Sequence, residues 1–258
     1  MSKALPNVMS NVPPRPLLAL GLSILPLLVA CGGGDPYQGM DADQLYRMAE
    51  VELAEGDADN AVEVLERLHV SFGDWQRIPD AGLLLARAHY ENDDYLTARS
   101  EYRRFLDRFA ANPRAPEAAV GECRALAQLA PAPQRDQAYT EEAINVCGNV
   151  VVDYPGTPAA TEAGQLRADL RRTMAEKEYL NGNHYFRRRQ YDSAIIYYQF
   201  VIDLYPETEF APQALLGLVR ANEAIGYSDL AEDARTQLLQ DYPDSPAAAE
   251  LETAGNAP

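Results

Sequence analysis

Five segments of the chain align without gaps on an alanine: residues 56–73, 93–110, 138–155, 189–206 and 226–243, anchored at Ala61, Ala98, Ala143, Ala194 and Ala231. Seven residues past the anchor each is apolar, at Leu68, Phe105, Val150, Val201 and Leu238. Eight past it come Leu106, Val151, Ile202 and Leu239, with His69 as the exception, and eleven past it stand Phe72, Phe109, Tyr154, Tyr205 and Tyr242. These offsets fall on one face of an α-helix. Three segments close with Tyr-Pro, at Tyr154-Pro155, Tyr205-Pro206 and Tyr242-Pro243. Proline cannot continue a helix, so each stops at the same register.

A second helical stretch precedes each segment, at about 43–55, 79–92, 116–129, 159–189 and 212–225, rich in Ala, Leu, Glu and Arg. Thr157-Pro158, Ser245-Pro246 and Asn112-Pro113 place a capping side chain before a proline. Short turns at Gly56-Asp57, Asn92-Asp93-Asp94 and Gly226 join the helices and imply antiparallel pairs. No segment alternates at period two, so no sheet is expected. The anchor spacings are 37, 45, 51 and 37. One surplus is the loop 131–135; the other lengthens the helix at 159–189, about 45 Å at 1.5 Å per residue, into a strut between the first three units and the last two. Gly182, Ala194 and Pro206 are twelve residues apart, and Ala49–Ala61 and Ala86–Ala98 repeat the first interval. This pattern resembles the tetratricopeptide repeat, in which small residues let paired helices approach closely. The expectation is an all-α superhelical solenoid of five tetratricopeptide-like helix pairs, at about 42–78, 79–114, 115–156, 157–208 and 209–246, followed by a frayed tail at 247–258.

The first thirty residues read as an address. Lys3 and Arg15 are the only charges before Asp35, and an apolar run from Pro16 to Ala30 ends at Leu28-Val29-Ala30-Cys31. Fifteen residues are too few to span a bilayer, which takes roughly 20. The ending resembles the lipobox of bacterial lipoproteins, which implies a signal peptide at 1–30 and N-acyl and S-diacylglycerol chains on Cys31. Residues 31–41, opening Gly32-Gly33-Gly34 after the cysteine, read as a flexible lipidated tether. Each buried methylene of an acyl chain contributes roughly 0.8 kcal/mol, so the protein is expected to be anchored to a membrane without crossing it. By resemblance to sorted lipoproteins, Gly32 directs it to the outer membrane, facing the periplasm.

Charge and composition exclude several functions. The formal charge is −17, and −19 once residues 1–30 leave with Lys3 and Arg15. Nucleic-acid binding needs clustered cations, so it is not expected. Three His and three Cys, unclustered, provide no zinc site. No acid or nucleophile–base cluster suggests catalysis, and Gly32-Gly33-Gly34 lacks the strand and the Lys-Ser/Thr of a phosphate loop. His69 reads as a core-edge residue, and His69, His89 and His184 have no acid or thiol partner nearby in sequence. Glu141-Glu142 reads as solvated. Trp75 is either a plug or a surface anchor. Cys123 and Cys147 fall on the two helices of the third unit; two buried free thiols is the expectation and a disulfide the alternative.

In such a solenoid the first helices line the concave face. Counting back from the anchors places Tyr46, Glu50 and Leu53; Leu83, Arg87 and Tyr90; Tyr179, Asn183 and Phe186; and Leu216, Arg220 and Glu223 there. Aromatics rimmed by charge suit an extended or helical peptide, although any one of them can instead pack on the adjacent repeat. The stretch 174–208, with Met174-Ala175-Glu176-Lys177-Glu178-Tyr179, Tyr185-Phe186-Arg187-Arg188, Tyr191-Asp192-Ser193-Ala194-Ile195 and Tyr205-Pro206-Glu207-Thr208, resembles the outer membrane protein assembly factor BamD family. The resemblance covers about 31–246. It implies a non-catalytic lipoprotein of the β-barrel assembly machinery, with unfolded barrel-protein segments received by the N-terminal repeats and the central barrel subunit docked on the C-terminal ones. Some family members carry an arginine that supports the docking where this chain has Tyr197. Tyr197–Tyr198 stacking or Arg187, Arg188 and Arg189 are the candidate replacements, while three cations closing a helix also complement its dipole. The rival expectation is another envelope tetratricopeptide-repeat lipoprotein, a pilus or secretin pilotin or an envelope-maintenance adaptor.

Overall fold

The computed structural model describes residues 36–255, which form helices and, among the described residues, no strand. The pairs are α1 (Ala42–Glu55) with α2 (Ala58–Ser71), α3 (Ile78–Glu91) with α4 (Tyr95–Phe109), α5 (Ala115–Leu129) with α6 (Ala138–Asp153), α7 (Pro158–Arg187) with α8 (Tyr191–Leu204), and α9 (Phe210–Ile225) with α10 (Ser228–Asp241). Helix α11 (Pro246–Gly255) follows. Each helix packs on the next in order. The first helices also touch, α1 on α3, α3 on α5, α5 on α7, α7 on α9 and α9 on α11, whereas the backbones of second helices in successive pairs stay apart. The stack therefore curves with the first helices inside, as expected for a tetratricopeptide-like solenoid.

The local signals set the ends. Phe72, Tyr154, Tyr205 and Tyr242 cap α2, α6, α8 and α10, each N–H donating to the carbonyl four residues back. Phe109 sits one residue earlier, as the last residue of α4. Thr157 Oγ1 accepts from Ala160 N at 3.2 Å, and Ser245 Oγ from Ala248 N at 3.1 Å. Asn112 does not cap α5; it accepts from Arg114 N inside the preceding loop, and the helix begins at Ala115. Gly56 and Gly226 close α1 and α9 at φ of 84° and 82°, where a side chain would be strained.

One register recurs in every pair: a first-helix residue, Ala49, Ala86, Cys123, Gly182 or Val219, and the position four past the anchor, Leu65, Tyr102, Cys147, Tyr198 or Arg235. In the third and fourth pairs the two positions meet. In the fourth pair Tyr198 is 1% exposed, wedged between Gly182 and Gly217, where an added Cβ would lie 2.5 and 2.7 Å from its ring. Tyr102 packs the same way on Gly121 of α5. In the third pair this crossing holds a disulfide, Cys123–Cys147, with Cα atoms 5.0 Å apart. The expectation of two free thiols is thus overturned, because both cysteines stand where the helices approach most closely.

Four other expectations change. The tail is not frayed from 247: α11 buries Ala247, Ala248 and Leu251 in the core of the last two units. Glu142 is not merely solvated but takes an ion pair from Arg99 of α4, and His89 has an acid neighbour, its Nδ1 3.5 Å from Asp94. Helix α7 is more than a strut. Its N-terminal part puts Ala159, Ala163 and Leu170 into the third unit's core, and its C-terminal part puts Met174 and Ala175 into that of the last two. Arg171 Nε and Nη2 reach Glu207 at 2.5 and 3.1 Å beneath the Tyr205 ring, riveting α7 to the turn after α8. The Arg171 hydrogen bond holds the Glu207 carboxyl below the usual range. His69 sits at the core edge as expected, its Nδ1 2.8 Å from Leu65 O.

Candidate protein-interaction surfaces

The N-terminal groove differs from its sequence description. Tyr46, Leu53 and Leu83 are buried and offer no binding face. Tyr46 packs on Trp75 with ring centroids 5.6 Å apart, and the Arg77 guanidinium lies 4.4 Å above the Tyr46 ring. Trp75 is accordingly half-buried against the first unit, and burial raises the Tyr46 hydroxyl pKa. Glu50, Arg87 and Tyr90 remain accessible. Arg87 pairs with Glu91 at 2.6 Å, and Tyr90 packs edge-on against Tyr95. The positions that turn apolar side chains inward on the first helices double as the interface between units, which is why three of six were consumed.

The same register in the last two units stays more open: Leu216 is buried, but Tyr179, Asn183, Phe186 and Arg220 keep accessible surface. Tyr179, Asn183 and Phe186 of α7, with Leu216 and Arg220 of α9, surround a concave cavity of about 230 Å³. Tyr198 forms its floor and donates to Asn183 Oδ1 at 2.7 Å. Helix α11 supplies the far wall, where Glu250 pairs with Arg220. Glu223, the remaining residue expected on this face, accepts from Arg235 at 2.8 Å.

On the outer face, Arg187, Arg188 and Arg189 are accessible where α7 ends, and Arg189 takes a left-handed φ of 59°. None has a carboxylate partner among the described residues. Tyr197 stacks on Tyr185 of α7, 5.2 Å apart and 7° from parallel. The candidate Tyr197–Tyr198 stack does not form, since consecutive helical side chains diverge by about 100°. Tyr198 is also withdrawn as a docking residue, because it is buried.

Sequence reading missed what lies beside Tyr197. Ile196, Phe200 and Leu204 of α8 are about half exposed and recur every fourth residue, forming one apolar stripe. The corresponding positions of the other units, two, six and ten past the anchor, are Glu63, Arg67 and Ser71; Ser100, Arg104 and Arg108; Asn145, Asn149 and Asp153; and Asp233, Gln237 and Asp241. All twelve are polar, so the stripe is peculiar to the fourth unit. Comparing repeats at their solvent-facing positions, not only their buried ones, would have revealed it.

Stacked helix pairs with exposed faces define a tetratricopeptide-like solenoid. No described helix is long and apolar enough to cross a membrane. A family model described as YfiO, outer membrane lipoprotein, matches residues 38–238, and the chain belongs to that family. Relatives in it include the outer membrane protein assembly factor BamD of Caulobacter vibrioides, 30% identical over 211 residues that cover 80% of this chain and 68% of the relative. BamD of Vibrio cholerae is 27% identical, covering 85% of this chain and 95% of the relative. Among solved structures, a thermophilic TPR protein of Thermus thermophilus matches at 17% identity and a TM-score of 0.39, over 83% of this chain and 98% of that one. The fold assignment rests on the helix pairs themselves, not on that superposition.

Proposed function

We propose that this chain is a non-catalytic subunit of the outer-membrane β-barrel assembly machinery, anchored through lipid on Cys31 and facing the periplasm. Cys31 lies outside the described residues, and the lipobox pattern is what supports its acylation. Membership of the BamD family favours this reading over a pilotin or a general envelope adaptor.

The α8 stripe carries the mechanistic part. Phe200, Ile196 and Leu204, bordered by the Tyr185–Tyr197 stack, form the docking face for the periplasmic part of the central barrel subunit. Burying large apolar side chains contributes roughly 1.5–3 kcal/mol each, enough to replace an ionic anchor at Tyr197. Arg187, Arg188 and Arg189 supply a charged rim. The concave cavity of the last two units, with aromatic walls and the amide of Asn183, receives extended client segments.

The test is Phe200→Asp, an exposed site where the fold tolerates charge, as its polar counterparts in other units do. Co-purification of the central subunit from detergent-solubilised envelopes should fall by tenfold or more with the circular dichroism melt unchanged. Undiminished recovery overturns the docking assignment. Normal levels of outer-membrane barrel proteins after depletion of the chain would overturn the wider reading. Mass spectrometry of the mature N-terminus tests the acylation separately.

A further inference from the structure

Glu122 is a carboxylate in a place built for an apolar side chain. The run Glu122-Cys123-Arg124-Ala125 of α5 aligns with Leu85-Ala86-Arg87-Ala88 of α3 and Leu218-Val219-Arg220-Ala221 of α9. Leu85 and Leu218 are buried, while the first and fourth units carry the part-buried Met48 and Asn181 at this position. Glu122 is buried too, with 3% of its surface exposed. Its ion-pair partner is Arg103 Nη1 at 3.6 Å, beyond hydrogen-bond length, and the Arg103 side chain is itself 62% exposed. Burying a carboxylate without full compensation is costly, and an apolar residue of similar volume is commonly as good or better for stability.

The carboxylate lines a cavity of about 260 Å³ on the convex side, between α4 and α6 and above α5. The crevice exists because the backbones of α4 and α6 stand apart, bridged by the Arg99–Glu142 ion pair. Leu106, Val146 and Ala119 form apolar walls. Asp107 and Asp153 stand with Glu122 against Arg103, the one cation among the described residues that line the cavity. Arg103 also reaches Asp107 at 3.3 Å, so it is shared between two acids. Among the described residues no group of acids, His and Cys is placed to hold a metal ion, which argues against a bare cation as occupant.

We propose that this cavity is a docking site for one basic side chain, an arginine or lysine, presented by a protein partner: the aliphatic stem lies against Leu106 and Val146 and the cationic head reaches Glu122. Walls that match a methylene stem and a net negative floor together select that chemistry over an acidic or wholly apolar group. The site is separate from the α8 stripe and does not rest on its assignment.

The experiment replaces exposed Asn149, at the cavity rim, with a photoreactive phenylalanine analogue in the full-length lipoprotein in its envelope. Crosslinked peptides are then sequenced. The expected result is one partner segment with a lysine or arginine beside the crosslinked residue. In Glu122→Leu the yield should fall at least about tenfold, as when one member of a buried charge pair is removed. The charge-matched control Glu63→Gln, on α2, should leave it unchanged. Glu122→Leu installs the residue that the second and fifth units carry, at Leu85 and Leu218, so its melting temperature should equal or exceed the parent's, separating lost binding from lost fold. A crosslink unaffected by Glu122→Leu, a segment without a basic residue, no crosslink at all, or loss of the crosslink on chelating divalent metal would each overturn the proposal.

Discussion

Gly182→Ala adds one methyl group to the middle of α7, and on helix propensity alone it should stabilise the chain by about 0.8–1 kcal/mol. The Tyr198 crossing reverses that sign. The new Cβ would lie 2.5 Å from Tyr198 Cε1 and 2.6 Å from Cδ1, and the ring would have to retreat by about 0.9 Å to reach ordinary contact. It has nowhere to go. Gly217 of α9 closes the opposite face, where a Cβ would already be 2.7 Å from the ring, and Asn183 holds the hydroxyl at 2.7 Å. Overpacking of this kind costs about 1–3 kcal/mol, and a ring pinned on both faces belongs at the upper end. The net loss should be about 2 kcal/mol, a fall of about 4–8 °C in melting temperature for a chain of this size. Gly164→Ala, also within α7, is the control. Its nearest neighbour would be Val151 Cγ2 at 3.8 Å, an ordinary contact, so it should gain about 0.5–1 kcal/mol. Circular dichroism melts of the two variants test the argument. If Gly182→Ala melts at or above the parent, the wedged-ring account of the pair crossing is wrong.

Two further outcomes follow from buried groups. Replacing both Cys123 and Cys147 by alanine releases a bridge spanning 24 residues, and the loop-entropy relation puts the loss at about 3.5 kcal/mol, readable as a lower denaturant midpoint. Desolvation raises the Glu122 pKa above its ordinary 4.5, against the pull of Arg103 and Arg99. Between those two values the folded state holds the proton more tightly than the unfolded chain, so this group favours folding less as pH rises through its folded pKa. Glu122→Gln should therefore gain more over the parent at pH 7 than at pH 4 in paired denaturant titrations; an equal gain at both would mean the carboxylate is not desolvated.

The carboxylate at 122 and the stripe at 196–204 also mark where the repeat pattern stops being informative. Pattern reading weights buried positions, and at these two places the chain departs from its own repeat in opposite directions: a charge goes inside, and apolar side chains go outside. Both departures are visible in the aligned units once Leu85 and Leu218 are set beside Glu122, or Arg67, Arg104 and Asn149 beside Phe200. The carboxylates paired across units, such as Glu142 with Arg99, have no comparable local signal.

Local chemistry in the sequence was enough for the helix pairs, their stops at Tyr205 and Tyr242, the lengthened α7 and the family resemblance. Each depends on dihedral limits or on a helical period that acts within a dozen residues. Only the packed chain decided that Tyr46, Leu53 and Leu83 are interior, that Cys123 meets Cys147, that α11 closes the stack and that the open cavity lies in the last two units. Those outcomes depend on how far apart neighbouring pairs sit, a distance set jointly by side chains from helices remote in sequence, and no single segment carries it.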